Sequence, residues 1–154
     1  MASRDSLPSS SAFPRLHPGN HEITSPSTPR YNCIAWAAGD DRRSWWPDVD
    51  EVAYWPSNVA RVETMEAFVE AFQTLGYLTC EDSEFEPGNE KVALYAHRGM
   101  PTHAARQLPD GRWSSKLGRS VDIAHTLDAL DGSLYGTAML CRKPMRKQRS
   151  SHYV

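Results

Sequence analysis

No apolar run in this chain approaches the roughly 20 residues that a membrane-spanning helix needs. Its opening stretch, "MASRDSLPSSSAFPRLHPGN", has no apolar core of the kind a signal peptide carries. Together these absences point to a cytoplasmic protein, with export by a signal-less route left open. Cysteine is scarce, and Cys33, Cys80 and Cys141 are odd in number and far apart. There is no CxxC and no Cys/His ligand pair, which argues against a disulfide framework and against a structural zinc site. That usage suits a reducing compartment. Charge of one sign is also nearly absent: a formal net charge of −2 exerts no general pull on nucleic acid or acidic membranes. No internal repeat is visible, and no cofactor or resident metal is expected. A peptide or protein substrate is compatible with the chain, and its oligomeric state is open.

What is present is enough to fold. The 154 residues suit one domain, and 40% hydrophobic residues with five tryptophans can bury a core. Residues 1–22 are rich in Ser and Pro and bury too little apolar surface to offset ordering, so they read as a disordered tail. Residues 23–144 read as the single domain, with the part near Ile23 lying against it. Residues 145–154 continue the basic run "RKPMRKQRSSHYV" as a solvated tail.

Within the domain, Asn32 opens a helix through "CIAWAA" that Gly39 closes. "DDRRSWWPDVDEVAYWPSN" reads as an ordered loop whose Trp45, Trp46 and Trp55 roof the core. In "TMEAFVEAFQTLGY", Thr64 can cap a helix. Met65, Phe68, Val69, Phe72 and Leu75 form its apolar face, and Gly76 stops it. The period then changes. "YLTCED" and "KVALYA" read as strands, with Cys80 inside the first, and "PDG" joins "THAARQL" to "RWSSKL" in a hairpin. "DIAHTLDAL" reads as a short helix and "GTAMLCRK", carrying Cys141, as the last strand. Helices first and an antiparallel meander after make an α+β fold.

Cys33 is the residue that invites a chemical reading. In the first turn of a helix a thiol is biased toward thiolate, and a nucleophile then needs a base and oxyanion donors. Of the six histidines, His17, His21 and His152 fall in the terminal parts, and His97 sits in a loop. His103 opens a strand, with small Ala105 beside it on the same face, and is the best base. A Cys at a helix start followed by a strand His is the papain-like order. With Asp110 and Gly111 as a two-residue turn, His103 would pair near Gly118, with Lys116 diagonal to it. Lys116 reads as a solvated strand residue, and Ser115 would reach His103 only if a bulge shifts the register. Asp122 is chosen as the residue orienting His103, with the helix N-cap as its other role. His125 is its rival.

"NCIAWA" resembles the start of the cysteine helix in papain-like hydrolases of the CHAP and NlpC/P60 type. "EPGNEKVALYAHRGMPTHAARQLPDGRWSSKLG" is similar to the second half of that group, where a strand opens with the catalytic His. The resemblance extends to small bacterial proteins of unknown function with "YNCIAWA", "THAARQL" and "SKLG" segments. It implies a papain-like α+β fold and a cysteine hydrolase or acyl transferase acting on an amide or isopeptide bond. Cys33 would attack, His103 would carry the proton and Asp122 would orient it. The Cys33 N–H, with Asn32 or Tyr31, would hold the oxyanion. The rival reading is a non-catalytic binding, immunity or adaptor module, which the lack of a clear third residue and the aromatic 45–55 loop favour. A metal site from Cys33, His103 and His125 is a third.

Overall fold

The computed structural model describes residues 15, 19–25, 30–117, 122–130 and 136–144. The segments 1–14 and 145–154, with His17 and Gly118, lie outside the described residues.

Among the described residues, seven strands form one antiparallel sheet: β1 (His21–Ser25), β2 (Leu78–Cys80), β3 (Asn89–His97), β4 (Met100–Gln107), β5 (Trp113–Lys116), β6 (Asp122–His125) and β7 (Thr137–Pro144). Their order is β1-β6-β5-β4-β3-β7-β2, so β3 to β6 run as a meander in the middle. Among the described residues only two short α-helices accompany it, α1 (Cys33–Ala38) and α2 (Met65–Gln73). The α+β papain-like expectation is therefore corrected: this is a mainly-β fold. The apolar helical period extends over only six and nine residues, while the stretches between and after favour extended pairing.

"DIAHTLDAL" is the clearest case. Its sequence predicts one helix, but Asp122–His125 pairs with β5 on one side and with β1 on the other. Only Leu127–Leu130 makes a 3₁₀ turn. Two flanking strands outweigh the weak local preference of four residues. Asp122 is thus a strand residue rather than a helix cap.

Local chemistry sets the helix ends. Asn32 Oδ1 accepts from Ala35 N at 3.0 Å and from Trp45 N at 3.1 Å, so one side chain caps α1 and pins the following loop. Gly39 closes α1 at φ +87°, a conformation a side chain resists. Thr64 Oγ1 caps α2 through Ala67 N at 3.1 Å. Trp45 and Trp55 are buried, and Trp46 and Trp55 lie 5.2 and 5.0 Å from the Phe68 ring.

The pleat separates two core layers. Val92, Leu94, Ala104 and Cys141 face the helices, packing with Ile34, Phe68 and Phe72. Ala93, Tyr95, Ala105, Trp113 and Ile123 face the other way, under Leu130. No helix of the described residues is long and apolar enough to cross a membrane.

Candidate functional site

The β4–β5 hairpin decides what the site contains. Arg106 pairs with Ser114 and Gln107 with Trp113. Leu108 N donates to Arg112 O at 2.7 Å, and Gly111 N to Leu108 O at 2.9 Å, with Gly111 at φ +89°. The loop therefore spans Pro109 to Gly111 rather than two residues. That one-residue shift turns every β5 side chain to the opposite face from the two-residue alternative. Ser115 faces the same side as His103, and Lys116 faces the helices.

On the side away from the helices, His103 Nε2 lies 2.9 Å from Ser115 Oγ, and Ser115 Oγ lies 2.7 Å from His125 Nε2. His125 Nδ1 lies 2.7 Å from Thr126 O. A carbonyl only accepts, so Nδ1 of His125 carries the proton and Nε2 accepts from the Ser115 hydroxyl. Ser115 in turn accepts from His103 Nε2–H. The tautomers follow from this chain of donors. His103 is 1% exposed, and its ring lies tilted against Tyr95 with centroids 5.5 Å apart. Burial pushes its pKa well below the usual 6.5, and the neighbouring His125 adds to the effect. Burial likewise drives His125 down to about 4, although its hydrogen bond to Thr126 opposes this. Both rings are neutral at pH 7.

Cys33 lies on the other side. It packs in the helix-facing layer with Ala104, whereas His103, the preceding residue of β4, points to the opposite layer. No hydrogen bond joins Cys33 Sγ to His103. Burial raises the thiol to about 11, against the N–H groups of Ala104, Ile34 and Cys33 itself and the charge of Lys116. Lys116 is fully buried rather than solvated, and burial lowers its pKa while Asp122 and Cys33 act the other way. Asp122 is opposite Lys116 across β5 and β6 and accepts from Tyr31 Oη at 2.8 Å. Tyr31 is pushed up to about 12, first by burial and then by that hydrogen bond. Asp122 therefore serves Tyr31 on the helix side, and His103 is held by Ser115 and His125 on the other. The Asn32 side chain is taken up by its cap and by Trp45 O, to which Nδ2 donates at 2.7 Å. Cys33, His103 and His125 do not converge, and among the described residues no group is placed to hold a metal ion.

A further layer escaped the sequence. The Tyr31 and Trp36 rings stack 5.5 Å apart. Lys116 Nζ lies 5.6 Å over Tyr31, and the Arg106 guanidinium 3.9 Å over Trp36. Trp36 Nε1 donates to Ser114 Oγ at 2.9 Å. The signal was the alternation Arg106 on β4 and Ser114/Lys116 on β5, legible only once the register was known.

Fold and site together define a small mainly-β domain: a helix-covered antiparallel sheet with a buried polar array on each face. The chain belongs to the family described as "Domain of unknown function (DUF7689)", whose model matches residues 22–143. No curated protein and no solved structure matches it.

Proposed function

We propose that this domain is a non-catalytic binding module in which Cys33 is a buried core residue. The observation that carries this reading is the separation of Cys33 and His103 onto opposite faces of one sheet. A thiol needs a base within hydrogen-bond reach to act as a nucleophile. Here the imidazole is spent on Ser115, and burial holds the thiol protonated. Asn32, Tyr31 and Asp122 likewise support packing: each polar group is used to join α1 to the loop or to the sheet.

The test is thiol labelling of the folded protein with iodoacetamide at pH 7, read by peptide mass spectrometry. Half-buried Cys80 should label first, and Cys33 and Cys141 only after denaturant is added. Labelling of Cys33 ahead of Cys80 would overturn the reading.

One arrangement favours a second reading, a cysteine hydrolase or acyl transferase. The backbone N–H groups of Ala104, Ile34 and Cys33 itself and the charge of Lys116 all favour the Cys33 thiolate, against its burial. In that reading Lys116 stabilises the thiolate in place of an imidazole. Such a thiol would react with an activity-based acylating probe, and Lys116→Met would abolish the reaction.

A further inference from the structure

Arg106 is a cation with no ion-pair partner among the described residues. It lies half-buried on the helix-facing side of β4, stacked on Trp36. Its guanidinium makes no hydrogen bond or ion pair among the described residues. Glu90, two residues before Val92 on β3, lies diagonal to it, because Val92 pairs with Arg106. Diagonal neighbours on one face are within reach of long side chains. Yet these two do not pair. Glu90 is drawn to Lys143 Nζ at 3.6 Å, and Arg106 is held by Trp36. Tyr77 belongs to the same neighbourhood: its phenol, deeply buried, is pushed up first by burial and then by Glu90, with Arg106 opposing.

These groups adjoin a cavity of about 270 Å³ lined by Phe85, Asn89, Glu90, Arg106, Leu108 and Pro109. One wall is apolar, from Phe85, Leu108 and Pro109. The other presents a cation and an anion side by side. Gln107 braces the mouth, since Nε2 donates to Ser83 O at 2.9 Å and so ties the loop before β3 to the hairpin. Burial lowers the Arg106 pKa, a sign that the charge is partly stripped of water. A guanidinium in that state gains most from a planar carboxylate that can take both its N–H groups.

We infer that this cavity binds a small ligand with a carboxylate next to an N–H donor and an apolar side chain: a free amino acid, or the C-terminal residue of a peptide. The carboxylate takes the Arg106 fork. The ammonium or amide N–H takes Glu90. The side chain lies against Phe85, Leu108 and Pro109. Its volume suits one such residue, being slightly below the usual span of about 300–1,000 Å³ for drug-sized sites.

This deepens the binding reading and rests on it for its biological sense, but the two fail separately. Rapid Cys33 labelling would remove the binding-module reading and leave ligand uptake at Arg106 intact. Absence of ligand uptake would remove the cavity proposal and leave Cys33 inert.

The experiment is an NMR titration of the full chain at pH 7 with phenylalanine, N-acetylphenylalanine and phenylalaninamide. Both carboxylates should give saturable shifts at the amides of Glu90, Arg106 and Leu108, and phenylalaninamide should bind at least tenfold more weakly. Tighter binding of phenylalanine assigns the free amino acid as the source, and tighter binding of the N-acetyl form assigns a peptide C-terminus. Arg106→Gln should weaken both at least tenfold. Because that change also removes the stack on Trp36, Glu90→Gln is the second variant, expected to weaken phenylalanine about tenfold with the stack intact. No saturable binding of either carboxylate, or undiminished binding of phenylalaninamide or by Arg106→Gln, overturns the proposal.

Discussion

Acid should unfold this protein earlier than its surface carboxylates require, through the two imidazoles on either side of Ser115. His103 and His125 are neutral in the folded state because burial disfavours their charged forms. In the unfolded chain both return to an ordinary pKa of about 6.5. Below that pH the unfolded state binds more protons than the folded one, so stability falls as pH falls. The loss begins near 6.5 and continues down to the folded pKa, about 4 for His125. Each ring then costs about 1.6 kcal/mol between pH 6.5 and 5, and the pair about 3 kcal/mol. That is a large share of a typical stability of about 5–15 kcal/mol. The relay makes the penalty hard to escape. A second proton on His125 would sit at Nε2, the atom that accepts the Ser115 hydroxyl hydrogen, and would break that bond. Urea unfolding at pH 7.5, 6.5, 5.8 and 5.0, followed by tryptophan fluorescence, measures the slope. It should reach about 2 kcal/mol per pH unit near pH 5.5. A slope under half of that would mean that the rings titrate freely in the folded protein, and the argument from burial would fail.

Other substitutions test the packing argument. Tyr31→Phe removes the donor to the buried Asp122 carboxylate and should cost about 1.5–3 kcal/mol, read as a lower urea midpoint at unchanged m-value. An effect under about 0.5 kcal/mol would mean that Asp122 draws little from this bond. Gly136→Ala should give little soluble protein, because Gly136 sits at φ +84° and a Cβ there would collide with the Ala96 carbonyl oxygen. A soluble variant with native melting temperature would contradict that geometry. Thr64→Ala removes the α2 cap and should lower stability by about 1 kcal/mol in the same urea assay.

The sequence was informative where the cause is local. Asn32, Gly39, Thr64 and Gly76 mark the helix ends through hydrogen bonds and backbone angles within a few residues, and both helices lie where these signals put them. The strands "KVALYA", "THAARQL" and "GTAMLCRK" were legible from their apolar or β-branched character and turn signals. It misled where pairing decides. Asp122–His125 became a strand because β5 and β1 were there to receive it. Cys80 is half-buried rather than inside a core strand, since β2 is the edge of the sheet. His21–Ser25, at the border of the Ser/Pro-rich stretch, forms the opposite edge.

For Cys33 the division is sharpest. The amino-acid order alone determined that a cysteine starts a capped helix and that a histidine lies on a strand in the later part of the chain, although that strand begins at Met100 rather than at His103. Whether the two meet was a question of parity. Side chains on a strand alternate between faces, so a single residue separates Ala104, which packs with Cys33, from His103, which does not. The β4–β5 loop length then set which β5 residue His103 would meet, and the three-residue loop chose Ser115. Those choices depend on contacts far apart along the chain, so only the tertiary structure could make them.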